Sequence, residues 1–229
     1  MSQVILFGAG KTAEVAYHYL THDSPHEIAA FTVDGKYVTA DHFLGLPLVP
    51  FEELPQKYPP DDFDMLVAVG YQDLNKLRAS KCEAARKLGY RLISYVSSRA
   101  SNVAGVAVGE NCFILENQSI QPCATIGDNV TIWSGNHIGH HSTVGDHCFI
   151  TSHVVISGIT TVEPYCFIGV NATIGHGLTI GRESILGAGS IITKNVKPQS
   201  VFIVEDTPLY RLDSERFMRF SRLVEGGAS

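Results

Sequence analysis

Every sixth residue from Val108 to Ile192 is a branched aliphatic, and the phase never slips. The series runs Val108, Ile114, Ile120, Ile126, Ile132, Ile138, Val144, Ile150, Ile156, Val162, Ile168, Ile174, Ile180, Leu186 and Ile192. A sixfold period fits neither a helix nor an alternating strand; it predicts a hexapeptide β-helix. The residue after each aliphatic is often glycine, as at Gly109, Gly127, Gly139, Gly145 and Gly187, which suits a tight corner. The residue four after it is usually small, as at Cys112, Ala124, Ser142, Cys148, Cys166 and Ser190. Three hexapeptides close one triangular coil, so residues 18 apart stack along a column and the aliphatics form interior ladders.

Before the repeat the pattern changes. Val4–Phe7 reads as a buried strand, Gly8-Ala9-Gly10 as a turn, and Lys11 to about Thr21 as a helix. Further strands are expected over Ile28–Val33, Met65–Val69 and Arg91–Val96, with a helix over about Asp73–Leu88 and a Pro-rich loop region at 36–62. Strand–helix alternation predicts a small α/β Rossmann-like parallel sheet. The expected organisation is therefore a Rossmann-like domain over 1–97, an all-β parallel helix over 98–200 and a tail over 201–229. That tail carries Arg211, Arg216, Arg219 and Arg222 and is expected to pack on the assembly.

Gly8-x-Gly10-x-x-Ala13 falls at the first strand-to-helix turn, where glycines let a phosphate approach a helix N-terminus. Lys11 follows it, Asp34 ends the second strand in reach of a ribose or base, and Gly70 closes the next strand. Gly8, Gly10, Lys11, Asp34 and Gly70 are the candidate substrate-binding residues. Gly10-Lys11-Thr12 is not a P-loop, because the required earlier glycine is Ile5. The domain is sized for one nucleotide, so a nucleotide carried by the substrate fits better than a nicotinamide cofactor.

Net charge is −6 and no Lys/Arg cluster stands out, so no nucleic-acid surface is implied. The first apolar run is too short for a signal peptide or a membrane span, which makes the cytoplasm the default location. Five cysteines show no Cys-x-x-Cys spacing and read as buried small hydrophobes.

Five of the ten histidines fall between 137 and 153. His137, His147 and His153 read as packed or turn residues. His140 differs because steps of 18 lead to Gly158, His176 and Lys194. One edge thus presents two imidazoles, a bare backbone and an ammonium, spaced at about 4.8 Å per coil. An extended acyl-coenzyme A suits such an edge: His140 as general base, the Gly158 N–H for the thioester oxygen, His176 along the groove, Lys194 for phosphates.

Gly135-Asn136-His137-Ile138-Gly139-His140-His141-Ser142 inside this array resembles the active-site segment of bacterial nucleotide-sugar acetyltransferases. These are hexapeptide acyltransferases, in the branch that includes sialic-acid O-acetyltransferase-like proteins. The resemblance extends to the Gly8–Gly10 turn, Val69-Gly70-Tyr71 with Asn75 and Arg78, and Gly187-Ala188-Gly189-Ser190 through Lys194. It implies a left-handed β-helix, a homotrimer with acetyl-CoA between neighbours, no metal, and a nucleotide-linked amino sugar as acceptor. It makes His140, His141 and Gly158 the catalytic group and Gly158, His176, Gly187 and Lys194 the acyl-CoA contacts. Relatives often follow the base with an acidic residue; here that position is His141, and Asp146 of the same or a neighbouring chain is a possible substitute. Sugar O-acetylation is the alternative within the class. A zinc enzyme of the γ-carbonic-anhydrase type is the alternative outside it, although its third ligand position falls on Gly181. A non-catalytic trimeric scaffold and a Rossmann-like oxidoreductase complete the set.

Overall fold

The computed structural model describes residues 3–102 and 105–221; Arg222 of the tail lies outside them. The N-terminal domain contains β1 (Gln3–Phe7), α1 (Lys11–His22), β2 (Glu27–Val33), β3 (His42–Phe43), β4 (Leu46–Pro50), α2 (Leu54–Lys57), β5 (Phe63–Val67) and α3 (Lys76–Lys87). The loop-rich stretch thus holds two short strands and a short α-helix, with 3-10 turns at Gly35–Tyr37 and Phe51–Glu53. The sheet order is β3-β4-β2-β1-β5, parallel except for the β3–β4 pair. β1 lies inside the sheet between β2 and β5, and its apolar run follows from burial on both faces. Val4 and Leu6 pack with Ala13, Ala16 and Leu20 of α1, whereas Ile5 and Phe7 pack with Cys82 and Ala85 of α3.

The strand expected over Arg91–Val96 is in fact split. Leu92 bridges Met65 of the α/β sheet, and β6 (Tyr95–Val96) then pairs with Phe113–Ile114 of the repeat. At the far end Val201–Phe202 pairs with Ile185–Leu186. The β-helix therefore runs from Tyr95 to Phe202 and not over 98–200. Its end hides from the sequence because Val201 stacks on Ile185, a step of 16 residues instead of 18. The last coil is two residues short and the aliphatic phase is lost.

Between these limits two-residue rungs stack into three parallel sheets. The first face carries Thr131–Ile132, Phe149–Ile150 and Phe167–Ile168; the second carries His137–Ile138 and Val155–Ile156; the third carries Thr143–Val144 and Thr161–Val162. The periodic aliphatic is the second residue of each rung and points inward, from Ile114 to Ile192 at no more than 4% exposure. Each such side chain contributes roughly 1.5–3 kcal/mol on burial. The slot four residues on is also buried. Where it holds Gln118 and Asn136, their amides bond Trp133 O and the amides of neighbouring coils.

The glycine after each aliphatic does not supply the left-handed corner. That conformation falls three residues after the aliphatic, at Asn111, Asn129, His141 and Asn171, with φ from +52° to +57°. Asn adopts it readily, whereas β-branched residues do not. The glycines serve close stacking instead: a Cβ on Gly145 would stand 2.8 Å from Pro164 N in the next coil.

The N-terminal domain straddles the first face. Tyr71 packs on Phe149 and Phe167 at 5.2 and 4.8 Å, and Tyr19 and Tyr95 pack on Phe113. At the edge between the third and first faces, Arg78 donates to Asn129 Oδ1 and to the carbonyls of His147 and Cys148. At the edge between the first and second, Tyr19 donates to Glu116 at 2.6 Å. Beyond Phe202 the chain is exposed through Tyr210, and α4 (Ser214–Ser221) follows. Among the described residues no helix is long and apolar enough to cross a membrane.

Candidate active site

Two places gather the candidate residues. The first is a cavity of about 620 Å³ at the C-terminal ends of β1, β2 and β5, where parallel strands leave a crevice for ligands. Gly8, Gly10, Lys11, Asp34 and Gly70 all line it. Gly8 has φ +133°, and a Cβ there would meet Ala68 O at 2.8 Å, so the turn demands glycine. Gly10 caps the N-terminus of α1, and a Cβ on it would meet nothing within 4 Å. That leaves open space for a ligand's close approach to the helix start. Asp34 is already engaged: Lys81 of α3 meets it at 2.6 Å, each about one-fifth exposed. Lys81 also lines the cavity, and the sequence reading missed it because nothing local links positions 47 residues apart.

Arg78 fixes the wall of this cavity. It is 1% exposed and donates to Gly70 O, Asn75 Oδ1, Asn129 and two further carbonyls, with no carboxylate partner among the described residues. Burial pulls its pKa down to about 10, so the guanidinium stays charged at neutral pH. Asp73, Leu74 and Asn75 just before α3 are all left-handed, with φ +49°, +47° and +68°. Asn75 is fully buried against Tyr165 O and Cys166 O, which ties that strained turn to the β-helix.

The second place is the edge between the second and third faces. The register stacks His140, Gly158, His176 and Lys194 in one column. His140 and His176 are exposed, and their rings lean together across Gly158 to a centroid distance of 6.2 Å. A Cβ on Gly158 would lie 2.7 Å from His140 Nε2, so only glycine lets the imidazole cover this backbone. The His140 N–H is capped by Gln121 Oε1 at 2.9 Å, whereas no acceptor for the Gly158 N–H is found among the described residues. His140 Nδ1 lies 3.1 Å from His141 Nδ1. Ile159 beside Gly158 is left-handed at φ +60° and 53% exposed, a strained position that the hexapeptide pattern does not reveal.

Other expectations fare differently. Asp146 of the same chain does not orient His140; it lies on the edge between the third and first faces, where its Oδ1 takes the Asp128 N–H at 2.8 Å. Gly187 is also away from the His140 column, at the edge between the first and second faces, packed against Phe202 O. His147 is half-buried against Tyr165 and bonded to Asn129, and His153 covers Gly135. Cys112, Cys148 and Cys166 are buried in the repeat's small slot and Cys82 on the inner face of α3, while Cys123 is exposed. Burial pushes the Cys112 thiol up to about 11 and Cys82 to about 12. Among the described residues no three His, Cys, Asp or Glu side chains converge as a metal site requires.

The bacterial transferase hexapeptide family (six repeats) matches residues 123–158 and 159–194. No curated protein sequence gives a match. Among solved structures, PerB from Caulobacter crescentus, in complex with CoA and GDP-perosamine, aligns with TM-score 0.78 and 25% identity, over 88% of this chain and 93% of its own. Residues 123–194 thus carry the repeat of bacterial transferases, and the chain shares its fold with solved acetyltransferases. The acetyltransferase domain of PglB from Neisseria gonorrhoeae FA1090 shares the fold at TM-score 0.75 and 20% identity, over 88% and 96% of the two chains. WeeI from Acinetobacter baumannii AYE does so at 0.58 and 20%, over the same shares. The β-helix accordingly has the left-handed winding that the sequence resemblance implied, against the usual right-handed crossover.

Proposed function

We propose that this protein moves an acetyl group from acetyl-CoA to the amino group of a nucleotide-linked sugar, in the cytoplasm. The cavity at Gly8, Gly10, Asp34 and Gly70 holds the nucleotide. The amine attacks the thioester carbonyl directly, His140 Nε2 takes its proton, and the Gly158 N–H bonds the developing oxyanion. The tetrahedral intermediate expels the coenzyme thiolate, which receives the proton held by His140. His176 and Lys194 continue the same edge toward the rest of the coenzyme. The observation that carries the reading is His140 Nε2 covering the Gly158 backbone on an exposed edge, in a fold shared with a protein solved with CoA and GDP-perosamine.

The active enzyme is a homotrimer with sites between subunits. The nucleotide cavity belongs to the domain on the first face, and His140 lies on the edge opposite that face. A sugar held in one chain's cavity therefore meets the His140 edge of a neighbour. Thiol release from acetyl-CoA against UDP-, GDP- and dTDP-linked amino sugars, with mass spectrometry of products, tests the reaction. An N-acetylated product on one of them supports it; inertness with no coenzyme binding overturns it. Sedimentation of a 24.9 kDa chain as a monomer at enzyme-assay concentrations would overturn the shared site.

A further inference from the structure

We infer that His141 sets the position of the proton on His140, as an uncharged hydrogen-bond acceptor in place of a carboxylate. The inference rests on the acyl-transfer reading above. The two rings meet Nδ1 to Nδ1 at 3.1 Å, a contact that holds a single hydrogen between two neutral imidazoles. If His141 supplied it, the hydrogen of His140 would sit on Nε2, the nitrogen that covers Gly158, and the base would be blocked. Supplied by His140, it leaves the Nε2 lone pair free over the reacting centre. His141 then keeps its own hydrogen on Nε2, toward solvent.

The surroundings explain why a neutral acceptor has this task. The corner segments of this edge, 121–124, 139–142, 157–160, 175–178 and 193–196, contain no Asp or Glu. Gln121 from the coil below bonds the His140 N–H and His176 from two coils above leans its ring to His140, while in register Cys123 stacks below His141 and Lys194 one coil beyond His176. The edge between the third and first faces, built from the same repeat, carries Glu110, Asp128, Asp146, Glu163 and Glu183. A carboxylate beside His140 would fix the same tautomer but would also hold the imidazolium by a full charge. His141 fixes the tautomer without that charge, so the proton passes more readily to the departing thiolate.

The backbone at His141 allows a clean test, because φ +56° accepts Gly, Asn or Asp. His141→Gly removes the acceptor without strain; it should lower kcat about 10–100-fold, the usual cost of losing an orienting partner, with KM for both substrates little changed. His141→Asn, whose Oδ1 accepts from His140, should restore a large part of that loss. His141→Asp should move the acid limb of kcat/KM to higher pH. Nitrogen-15 NMR of the substrate-free protein should show His140 with its hydrogen on Nδ1, and on Nε2 in the Gly variant. Wild-type turnover in His141→Gly, an unmoved acid limb in His141→Asp, or an Nε2–H on His140 in the wild type would each overturn the inference. The NMR result needs no substrate, so it stays readable even if every sugar nucleotide proves inert and the proposed reaction fails.

Discussion

Two edges of the same prism obey one sequence grammar and do opposite work. Between the third and first faces the corners carry carboxylates and asparagines that bond one another coil to coil, as Asp146 does to Asp128 N and Asn129 to Asn111 and His147. Arg78 is buried there, and the edge anchors the N-terminal domain. Between the second and third faces the corners hold His140, Gly158, His176 and Lys194, and the imidazoles are exposed. The repeat fixes only the inward aliphatic and the small slot. The outward corner residues are free to vary, so one edge became a joint and the other carries the exposed histidine column to which we assign the proposed chemistry.

The sharpest way to separate the two is to delete the centre of each. His140→Ala should reduce kcat by about 10²–10⁴-fold, the usual contribution of a positioned general base. Its urea midpoint should match wild type, because the side chain is exposed and its one bonded ring, His141, is also at the surface. Near-normal turnover in the folded variant would remove His140 from the role.

Arg78→Leu should do the reverse. Its loss strands buried acceptors at Gly70, Asn75, Asn129 and Cys148, and leaving a buried acceptor without its donor costs about 1–3 kcal/mol. Urea unfolding followed at Trp133, the single tryptophan, reads this directly. A change below about 1 kcal/mol would mean that the joint depends on the Tyr71–Phe149–Phe167 stack and not on the guanidinium.

A smaller effect should appear on the His140 edge, with the opposite sign. Ile159 holds a left-handed backbone that costs a residue with a Cβ roughly 1–2 kcal/mol, while four of the equivalent corners carry Asn. Ile159→Asn should therefore raise stability by about 1 kcal/mol. If the variant is more stable but slower, the strain belongs to the site; unchanged activity assigns Ile159 to folding history alone.

The contrast between the edges also marks what the sequence makes legible. Period-six ladders are visible because each coil repeats the same burial problem, and the cavity residues are visible because parallel strands end on one side of their sheet. The His140 column follows from a step of 18. The short final coil breaks that step, which is why Val201–Phe202 lies outside the expected helix. The Lys81–Asp34 pair joins elements with no sequence signal between them. The His140–His141 bond depends on ring orientation, and the left-handed corner at Ile159 looks like any other in the string.

The subtlest expected effect concerns how the remaining edge, between the first and second faces, responds to acid where the β-helix begins. Asp23 ends α1 and is clasped by Ser98 Oγ, by Tyr95 OH at 2.6 Å and by Ser97 Oγ at 2.9 Å, so the start of the β-helix is tied to the helix. The Ser98 and Tyr95 hydroxyls hold its carboxyl well below the usual carboxylate range, against a modest opposing effect of burial. The unfolded chain therefore binds this proton at higher pH than the folded one. The stabilisation is complete above the ordinary carboxylate value of about 4 and drains away as the pH falls below it toward the folded value. Asp23→Asn should thus lower Tm at pH 7, with the gap to wild type closing on acidification below about pH 4. The same titration on a His140→Ala background should be superimposable, since among the described residues the Asp23 carboxylate bonds Tyr95, Ser97 and Ser98 and no group of the His140 edge. A gap that stays constant down to pH 3 would mean that the serine and tyrosine clasp holds Asp23 by shape rather than by charge.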